Sequence, residues 1–319
     1  MIEYLIIHLD DTSTSYCHYK NLSTSRRLIS LEALKAGIFF AMKENLMIQF
    51  VYPDYTLPKE HKAAIDEIDH NIIVSSRCED ETVRKEADVI VLRDWSELSD
   101  RLLEADKCYV LHTSKAGLFD NYLVIADKLE KVLRLNVVIS DIETFGETDF
   151  EIYQRILHTL SHHIETLYAK GNAPQLNLLT DRMLLSKMNN CGAGVSNITL
   201  APNGKFYICP AFYYEDETDD VGDLEHGLDI RNKQLYRLDH APICRHCEAW
   251  HCKRCVWLNR KTTLEVNTPS HEQCVVAHLE RNASKDLLHK LHESGMLRHI
   301  KEGFTDICYL DPFENRDNW

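Results

Sequence analysis

Four cysteines stand within a short segment near the end of the chain: Cys244, Cys247, Cys252 and Cys255. In a Cys-x2-Cys turn both thiolates can point at one metal, so two such turns supply four soft ligands at a small cost in entropy. The connection between these two turns is shorter than the roughly 15–20 residues found in zinc ribbons. The spacing therefore suits an iron–sulfur cluster or a compact zinc knuckle.

Three further cysteines flank this segment: Cys191 and Cys209 precede it, and Cys274 follows it. Seven of the eleven cysteines thus fall between residues 191 and 274. Crowding of this kind in a reducing compartment indicates metal or cluster ligation rather than disulfides. Basic residues around the segment would favour the thiolate forms. They are Arg245, Lys253, Arg254, Arg260 and Lys261.

The order of the cysteines resembles that of the SPASM domains of radical SAM peptide-modifying enzymes. Cys191 is followed by Gly204 and Cys209 as in that pattern, and Cys274 takes the place of its final cysteine. The phrase Pro202-Asn-Gly-Lys-Phe-Tyr-Ile-Cys-Pro210 resembles the strand turn of that domain. The middle block departs from the family, because its last two cysteine spacings are each one residue shorter than the family has.

This resemblance implies one or two auxiliary iron–sulfur clusters, of the [4Fe-4S] type. A first set would serve one cluster: Cys191, Cys209 and Cys255. A second set would serve the other: Cys244, Cys247, Cys252 and Cys274. The family often places one more ligand shortly before the first cysteine, where this chain has Leu185. The first site therefore borrows another ligand, has an open iron that a substrate cysteine could occupy, or is empty. Zinc, or buried thiols without metal, are the alternatives for all seven.

Short apolar runs alternate with helical patterns over the first 140 residues. The runs predict buried parallel strands over Tyr4–Leu9, Met47–Tyr52, Asn71–Val74, Asp88–Leu92, Cys108–Leu111 and Asn136–Ser140. Helices are predicted between them over Ser30–Asn45, Pro58–Asp69, Asp80–Glu86, Trp95–Ala105 and Lys115–Arg134. Right-handed crossovers would put these helices on the outer face of the sheet. We therefore expect an α/β fold with an open, six-unit parallel β/α barrel of radical SAM type, followed by a small Cys-rich domain with a short β-hairpin and helices.

Four segments are expected along the chain. Residues 1–147 would form the degenerate radical SAM-like partial barrel, and residues 148–189 a helical bridge. Residues 190–300 would form the SPASM-like domain, whose acidic run 215–223 is predicted to be a solvated loop. Residues 301–319 would form a loose tail.

The motif that holds the S-adenosylmethionine-cleaving cluster is incomplete. In radical SAM enzymes the first strand leads into Cys-x3-Cys-x2-Cys, and if Cys17 is its third ligand, Asp10 and Thr14 occupy the other two positions. Neither side chain is a normal substitute for a thiolate at such a cluster. We therefore expect a barrel that keeps the fold and has lost the catalytic cluster, so that the chain neither binds nor cleaves S-adenosylmethionine unaided. No catalytic residue is assigned, and whether the chain is an enzyme is left open.

The net charge of −14 makes nucleic acid and anionic membranes poor partners, because an acidic surface repels phosphate. No apolar run is long enough to span a bilayer. The first ten residues include Glu3 and no basic segment, unlike a signal peptide. A cytoplasmic protein is therefore expected.

A radical SAM-like chain without its catalytic cluster most resembles the CXXX-repeat peptide maturases. That resemblance implies an accessory role in the post-translational maturation of a ribosomally made, Cys-containing precursor peptide, beside a complete radical SAM partner. One alternative is a zinc-stabilised peptide-binding adaptor without a redox role. Another is an independent enzyme that uses loop residues at the carboxyl ends of the strands. Those residues are Asp10, Asp11, His112 and Asp141.

Overall fold

The computed structural model describes residues 2–100, 102–188 and 190–297. The predicted tail, residues 301–319, and the last residues of the predicted Cys-rich domain lie outside these ranges. The six predicted strands are present and pair in parallel in chain order. They are β1 (Tyr4–His8), β2 (Met47–Val51), β3 (Asn71–Ser75), β4 (Val89–Leu92), β5 (Cys108–Thr113) and β6 (Arg134–Ile139).

Three more strands extend this sheet to nine. They are β7 (Gln175–Leu176), β8 (Asn197–Leu200) and β9 (Phe206–Tyr207). Strand β7 pairs in parallel with β6, and β8 pairs in parallel with β1, while β9 is antiparallel to β8. The sheet order is therefore β7-β6-β5-β4-β3-β2-β1-β8-β9, which leaves β7 and β9 as the two edges.

The predicted hairpin of the Cys-rich region is confirmed, but it does not form a sheet of its own. Gly204, with φ of +79°, sits in the turn between β8 and β9, a conformation that glycine adopts without strain. Leu5 and Ile7 of β1 lie beside Ile198 and Leu200 of β8 in register. All four side chains are buried, so the hairpin completes the core of the first half. Continuous backbone hydrogen bonding therefore joins the Cys-rich region to the sheet.

Nine α-helices are found among the described residues: α1 (Leu31–Glu44), α2 (Lys59–Asp66), α3 (Glu81–Glu86), α4 (Lys115–Lys128), α5 (Glu147–Ala169), α6 (Thr180–Leu184), α7 (Pro210–Glu215), α8 (Val256–Thr263) and α9 (His271–Glu293). Ser30 caps α1 as its position predicted, because its side chain accepts a hydrogen bond from the Ala33 N–H. None of the helices in the described ranges is both long and apolar enough to cross a membrane.

The helix predicted over Trp95–Ala105 is wrong. Among the described residues of this segment, which leave out residue 101, the helical structure is a short 3₁₀ turn over Trp95–Glu97. The Glu97 carboxylate is buried and accepts a hydrogen bond from the Ser76 hydroxyl at 2.6 Å. The Tyr109 hydroxyl hydrogen-bonds the main chain of the segment at two points. Tertiary hydrogen bonds thus replace the helical ones that the local pattern favoured.

The acidic run 215–223 mostly forms a loop at the surface, as predicted, and Glu215, Asp216 and Glu217 are exposed. Its carboxylates form ion pairs with basic side chains from other parts of the chain. These pairs are Glu217–Arg27, Asp220–Lys205, Glu215–Arg260 and Asp219–Arg260. The run therefore holds α7 and α8 together and contacts the loop before α1.

Alternate residues of the strands face opposite sides of the sheet, as strand geometry requires. One side packs against the helices: Gly37 of α1, for instance, lies against Ile7 and Leu200. The other side carries a separate buried apolar cluster that runs across five strands. This inner-face cluster consists of Ile6, Val51, Ile73, Val91 and Val110. The cysteines that line the cavity described below lie on this inner side.

Candidate metal centre

A cavity of about 770 Å³ lies between the inner face of the sheet and the Cys-rich region. Ile6, Ile73 and Val110 of the inner-face cluster line it on the sheet side. Five cysteines also line it: Cys17, Cys191, Cys209, Cys252 and Cys255. We call this space the inner cavity. It places four of the seven predicted ligands next to the inner face of the sheet.

The first set, Cys191, Cys209 and Cys255, comes from three separate segments. The Cys191 N–H donates to the Lys253 carbonyl at 3.1 Å, which ties the turn before β8 to the segment that carries Cys255. Cys209 immediately precedes α7, and Cys255 caps α8 by accepting a hydrogen bond from the Leu258 N–H at its Sγ. Amide groups at a helix start stabilise a thiolate, so two of the three thiols are placed to ligate as anions.

The three thiols of the first set lie close enough to influence one another. Burial raises the pKa of Cys209 well above its usual value, and the charges of Cys255 and Cys191 raise it further. Burial and the nearby Cys191 raise the pKa of Cys255 to about 12. Since such repulsion falls with distance, the chain has brought the first set together. Without a metal these thiols keep their protons, and a bound metal would displace them.

The second set, Cys244, Cys247, Cys252 and Cys274, also comes together. Cys244 begins a short 3₁₀ turn over Cys244–His246, and Cys274 lies in the first turn of α9. Burial raises the pKa of Cys252 well above its usual value, and the other three thiols of the set raise it further. The Cys247 Sγ lies 3.4 Å from Nε2 of His278 on α9, so a histidine stands beside this set.

Arg254 lies between the two sets. Burial raises the pKa of Cys191 in the first set and of Cys244 in the second, and the charge of Arg254 opposes the rise in both. Arg254 is 3% exposed, and its Nη2 donates to the Tyr236 carbonyl, while its Nε and Nη1 have no hydrogen-bond partner among the described residues. A buried, partly unpaired guanidinium is costly unless an anion accompanies it. A thiolate-ligated iron–sulfur cluster is an anion with sulfide acceptors, so this environment fits one.

A single metal ion needs its ligands in a different arrangement from that of a cluster. Within residues 2–100, 102–188 and 190–297, no group of three or more His, Cys, Asp or Glu side chains is arranged to hold one metal ion. In a [4Fe-4S] cluster each thiolate binds a different iron, so its ligands lie farther apart than the ligands of one ion. The thiol chemistry of the two sets and the buried Arg254 therefore support a cluster.

Of the three positions that would hold the S-adenosylmethionine-cleaving cluster, the Asp10 carboxylate is engaged in other hydrogen bonds. Asp10 is buried, and its Oδ1 accepts from the Thr12 N–H at 2.8 Å while its Oδ2 accepts from the Tyr55 hydroxyl at 2.9 Å. Thr14 is also buried. Cys17 lies in the inner cavity with the first set. The cysteine spacing does not link Cys17 to that set, because no spacing rule connects it to cysteines so far along the chain.

The loop residues of the independent-enzyme alternative do not gather at one site. A second cavity of about 630 Å³ is lined by His112 but not by the other three. Asp11 forms an ion pair with Arg27 at 2.9 Å, and Asp141 accepts a hydrogen bond from the Lys115 N–H at 2.7 Å. These carboxylates hold the loops in place, and nothing in their arrangement pairs an acid with a base.

Two buried histidines on the inner side should make the fold sensitive to acid. Burial lowers the pKa of His8 to about 3 and is the main cause that lowers the pKa of His112 to about 4. Both are neutral in the folded chain, whereas an unfolded histidine gains its proton near pH 6.5. The free energy of unfolding should therefore fall as pH drops from about 6.5 towards 3, by up to about 1.4 kcal/mol per pH unit for each group. Urea unfolding of the iron-free chain across this range measures the slope.

His8→Gln should flatten that dependence, because it removes one of the two groups. His162→Gln is the matched control, since the His162 side chain is 76% exposed. It should leave the slope as it is in the wild type. Parallel curves for all three chains would contradict the assignment of His8.

Comparison with known proteins supports the fold. Neither a protein-family model nor a curated protein matches this sequence. Solved structures of anSMEcpe, an anaerobic sulfatase-maturating enzyme of the radical SAM type with an SPASM domain, do match. The structure with bound AdoMet aligns with a TM-score of 0.63 at 14% identity and covers 92% of this chain and 100% of that one. The structure with bound AdoMet and the Cp18Cys peptide aligns with a TM-score of 0.62 at 12% identity over the same shares. The comparison confirms the predicted α/β fold with a mostly parallel sheet, which this chain shares with these structures.

Proposed function

We propose that this protein is an iron–sulfur-binding accessory factor in the maturation of a ribosomally made, Cys-containing peptide. It works in the reducing cytoplasm beside a radical SAM enzyme and does not itself cleave S-adenosylmethionine. The observation that carries the proposal is the gathering of seven cysteines into two sets around the buried Arg254. All ten cysteines of the described ranges are free thiols, in keeping with a reducing compartment.

The first set would hold one cluster and the second set the other. Such clusters supply electron transfer or a Lewis-acidic iron when they are bound. The chain itself contributes thiols at the starts of α7 and α8, a buried cation between the sets, and a largely apolar cavity wall. Each of these features favours an anionic cluster over exposed thiolates.

The lack of independent S-adenosylmethionine cleavage is supported by the loop after β1. A cluster with an open iron for that reaction needs three thiolates, and this loop has one. The Asp10 carboxylate is already engaged by Thr12 and Tyr55. A peptide partner is supported by the size of the inner cavity, which is within the range of ligand sites, and by the peptide-bound structures of anSMEcpe.

Anaerobic purification followed by iron, sulfide and zinc analysis tests the proposal. We expect a coloured protein with bound iron and sulfide, and Cys252→Ser should lower both, whereas Cys108→Ser, outside the two sets, should not. Incubation with dithionite and S-adenosylmethionine should release no 5′-deoxyadenosine. A colourless preparation with stoichiometric zinc, or release of 5′-deoxyadenosine, would contradict the proposal.

A zinc-stabilised peptide-binding adaptor is the second candidate, and His278 favours it. Its Nε2 lies 3.4 Å from the Cys247 Sγ, and burial lowers the pKa of His278, so the ring is neutral and able to bind zinc. His278→Ala separates the two functions. It should reduce the zinc content of an adaptor but leave the iron content of a Cys-ligated cluster unchanged.

A further inference from the structure

The loop between β1 and α1, residues 9–30, folds into the inner side of the sheet. Tyr16 packs against the inner-face cluster, and Tyr19 is 2% exposed. The Tyr19 ring stacks on Tyr214 with 5.6 Å between ring centroids and an interplanar angle of 17°. Since Tyr214 belongs to α7, this contact joins the loop to the helix that follows Cys209.

Hydrogen bonds fix the shape of this loop. The Asn21 side-chain amide donates to the carbonyls of Asp11 and Ser13 at 2.8 and 2.7 Å. The Ser13 hydroxyl donates to the Val51 carbonyl of β2 at 2.8 Å. His18 lies with its Nδ1 3.3 Å from the Ile139 carbonyl at the end of β6. Contacts with β2 and with the end of β6 therefore anchor the segment that carries Cys17 at two places on the sheet.

Cys17 lines the inner cavity together with all three members of the first set. The charged groups that raise its pKa, after burial, are Cys209, Cys255 and Cys191. The thiols of the second set instead raise the pKa values of one another. Cys17 is therefore a neighbour of the first set, which is the set that lacks a ligand.

We propose that Cys17 is the fourth thiolate of the first cluster, supplied across the cavity by the loop after β1. This inference rests on the proposed iron–sulfur function and adds a ligand that the cysteine pattern does not contain. A [4Fe-4S] cluster has four irons to ligate, and the first set offers three thiolates. Four thiolates from both parts of the chain would complete the cluster and bind the first half to the Cys-rich region. No iron would then be open to a peptide cysteine while Cys17 is bound.

Oxidation of the iron-loaded full-length chain tests this assignment. A cluster with three thiolates has one weakly held iron, and ferricyanide removes it: one electron goes to ferricyanide, one Fe²⁺ leaves, and [4Fe-4S]²⁺ becomes [3Fe-4S]⁺. We expect Cys17→Ser to give this [3Fe-4S] electron paramagnetic resonance signal readily, and the wild type to resist. Cys108→Ser, a cysteine outside both sets and the inner cavity, is the matched control and should behave as the wild type.

A second variant and a second measurement guard against a folding defect. Cys17→Ala is studied beside Cys17→Ser, because it avoids placing a hydroxyl in a buried site. Thermal unfolding of the iron-free variants shows that they fold. Iron loading should raise the melting temperature of both variants less than that of the wild type, since the ligand that ties the two halves is lost. Wild-type behaviour of both variants in both measurements would overturn the assignment.

Cys191→Ser distinguishes failure of this inference from failure of the proposed function. If Cys191→Ser lowers the iron content and Cys17→Ser leaves the cluster unchanged, the first cluster exists and takes its fourth ligand elsewhere. If neither variant changes iron content or spectrum, the first set holds no cluster, and both proposals fail for that site.

Discussion

Replacing Arg281 with methionine is expected to lower the free energy of unfolding by about 3–5 kcal/mol, because it breaks a buried ion pair. Arg281 lies on α9, and its Nη2 is 2.8 Å from the Glu248 Oε2 in the Cys-rich segment. The two side chains are 8% and 9% exposed. Urea unfolding of the iron-free chain measures the effect on the polypeptide itself.

The buried pair belongs to a wider set of contacts that hold the segment from Cys244 to Cys255 on the helices. The Arg182 Nε donates to the Glu248 carbonyl at 2.6 Å, and its guanidinium lies 3.7 Å from the centre of the Trp250 ring. Loss of Arg281 should therefore also weaken iron loading, because the ligands of the second set would no longer be held in position.

Two comparisons identify the cause. The double variant Arg281→Met with Glu248→Met should recover much of the lost stability, since removing both buried charges is often neutral. Arg231→Gln is the matched control: Arg231 is 87% exposed and 3.8 Å from Asp229, so its loss should change stability by less than about 0.5 kcal/mol. A double variant as unstable as the single one would show that the ion pair is not the cause.

Replacing Arg254 with methionine is expected to lower the reduction potential of the bound clusters by tens of millivolts to about 100 mV. A buried cation favours the reduced, more negative cluster, and an interaction of a few kcal/mol is typical of nearby charges at an effective dielectric constant of about 20. Arg254 acts on thiols of both sets, so both clusters should shift. Spectroelectrochemical titration under anaerobic conditions measures the two potentials.

Arg254→Lys should leave the reduction potentials of the clusters close to those of the wild type, because it retains the charge while losing the planar guanidinium. Arg231→Gln again serves as the control, since the charge of an exposed residue is screened by solvent and salt. Potentials that do not move in Arg254→Met would mean that the guanidinium does not face the clusters.

Much of this fold follows from patterns that are local in the sequence. The apolar runs placed all six strands of the first half, because buried parallel strands are continuously hydrophobic. Ser30 marked the start of α1, and Asn203-Gly204 marked the hairpin turn, since each works through its immediate neighbours. The Cys-x2-Cys spacings predicted metal or cluster ligation for the same reason, and the division of the seven cysteines into two sets followed from the family resemblance.

Only the tertiary structure decided which distant segments meet. The pairing of β8 with β1 and the ion pairs of the acidic run 215–223 depend on partners far along the chain. The segment after Trp95 lost its helix because side chains of other strands bind its polar groups. Cys17 lines the same cavity as the first set because the loop after β1 folds over the inner face of the sheet. Local spacing carries no information on such contacts, since their energy arises from burial and charge that exist only once the chain has folded.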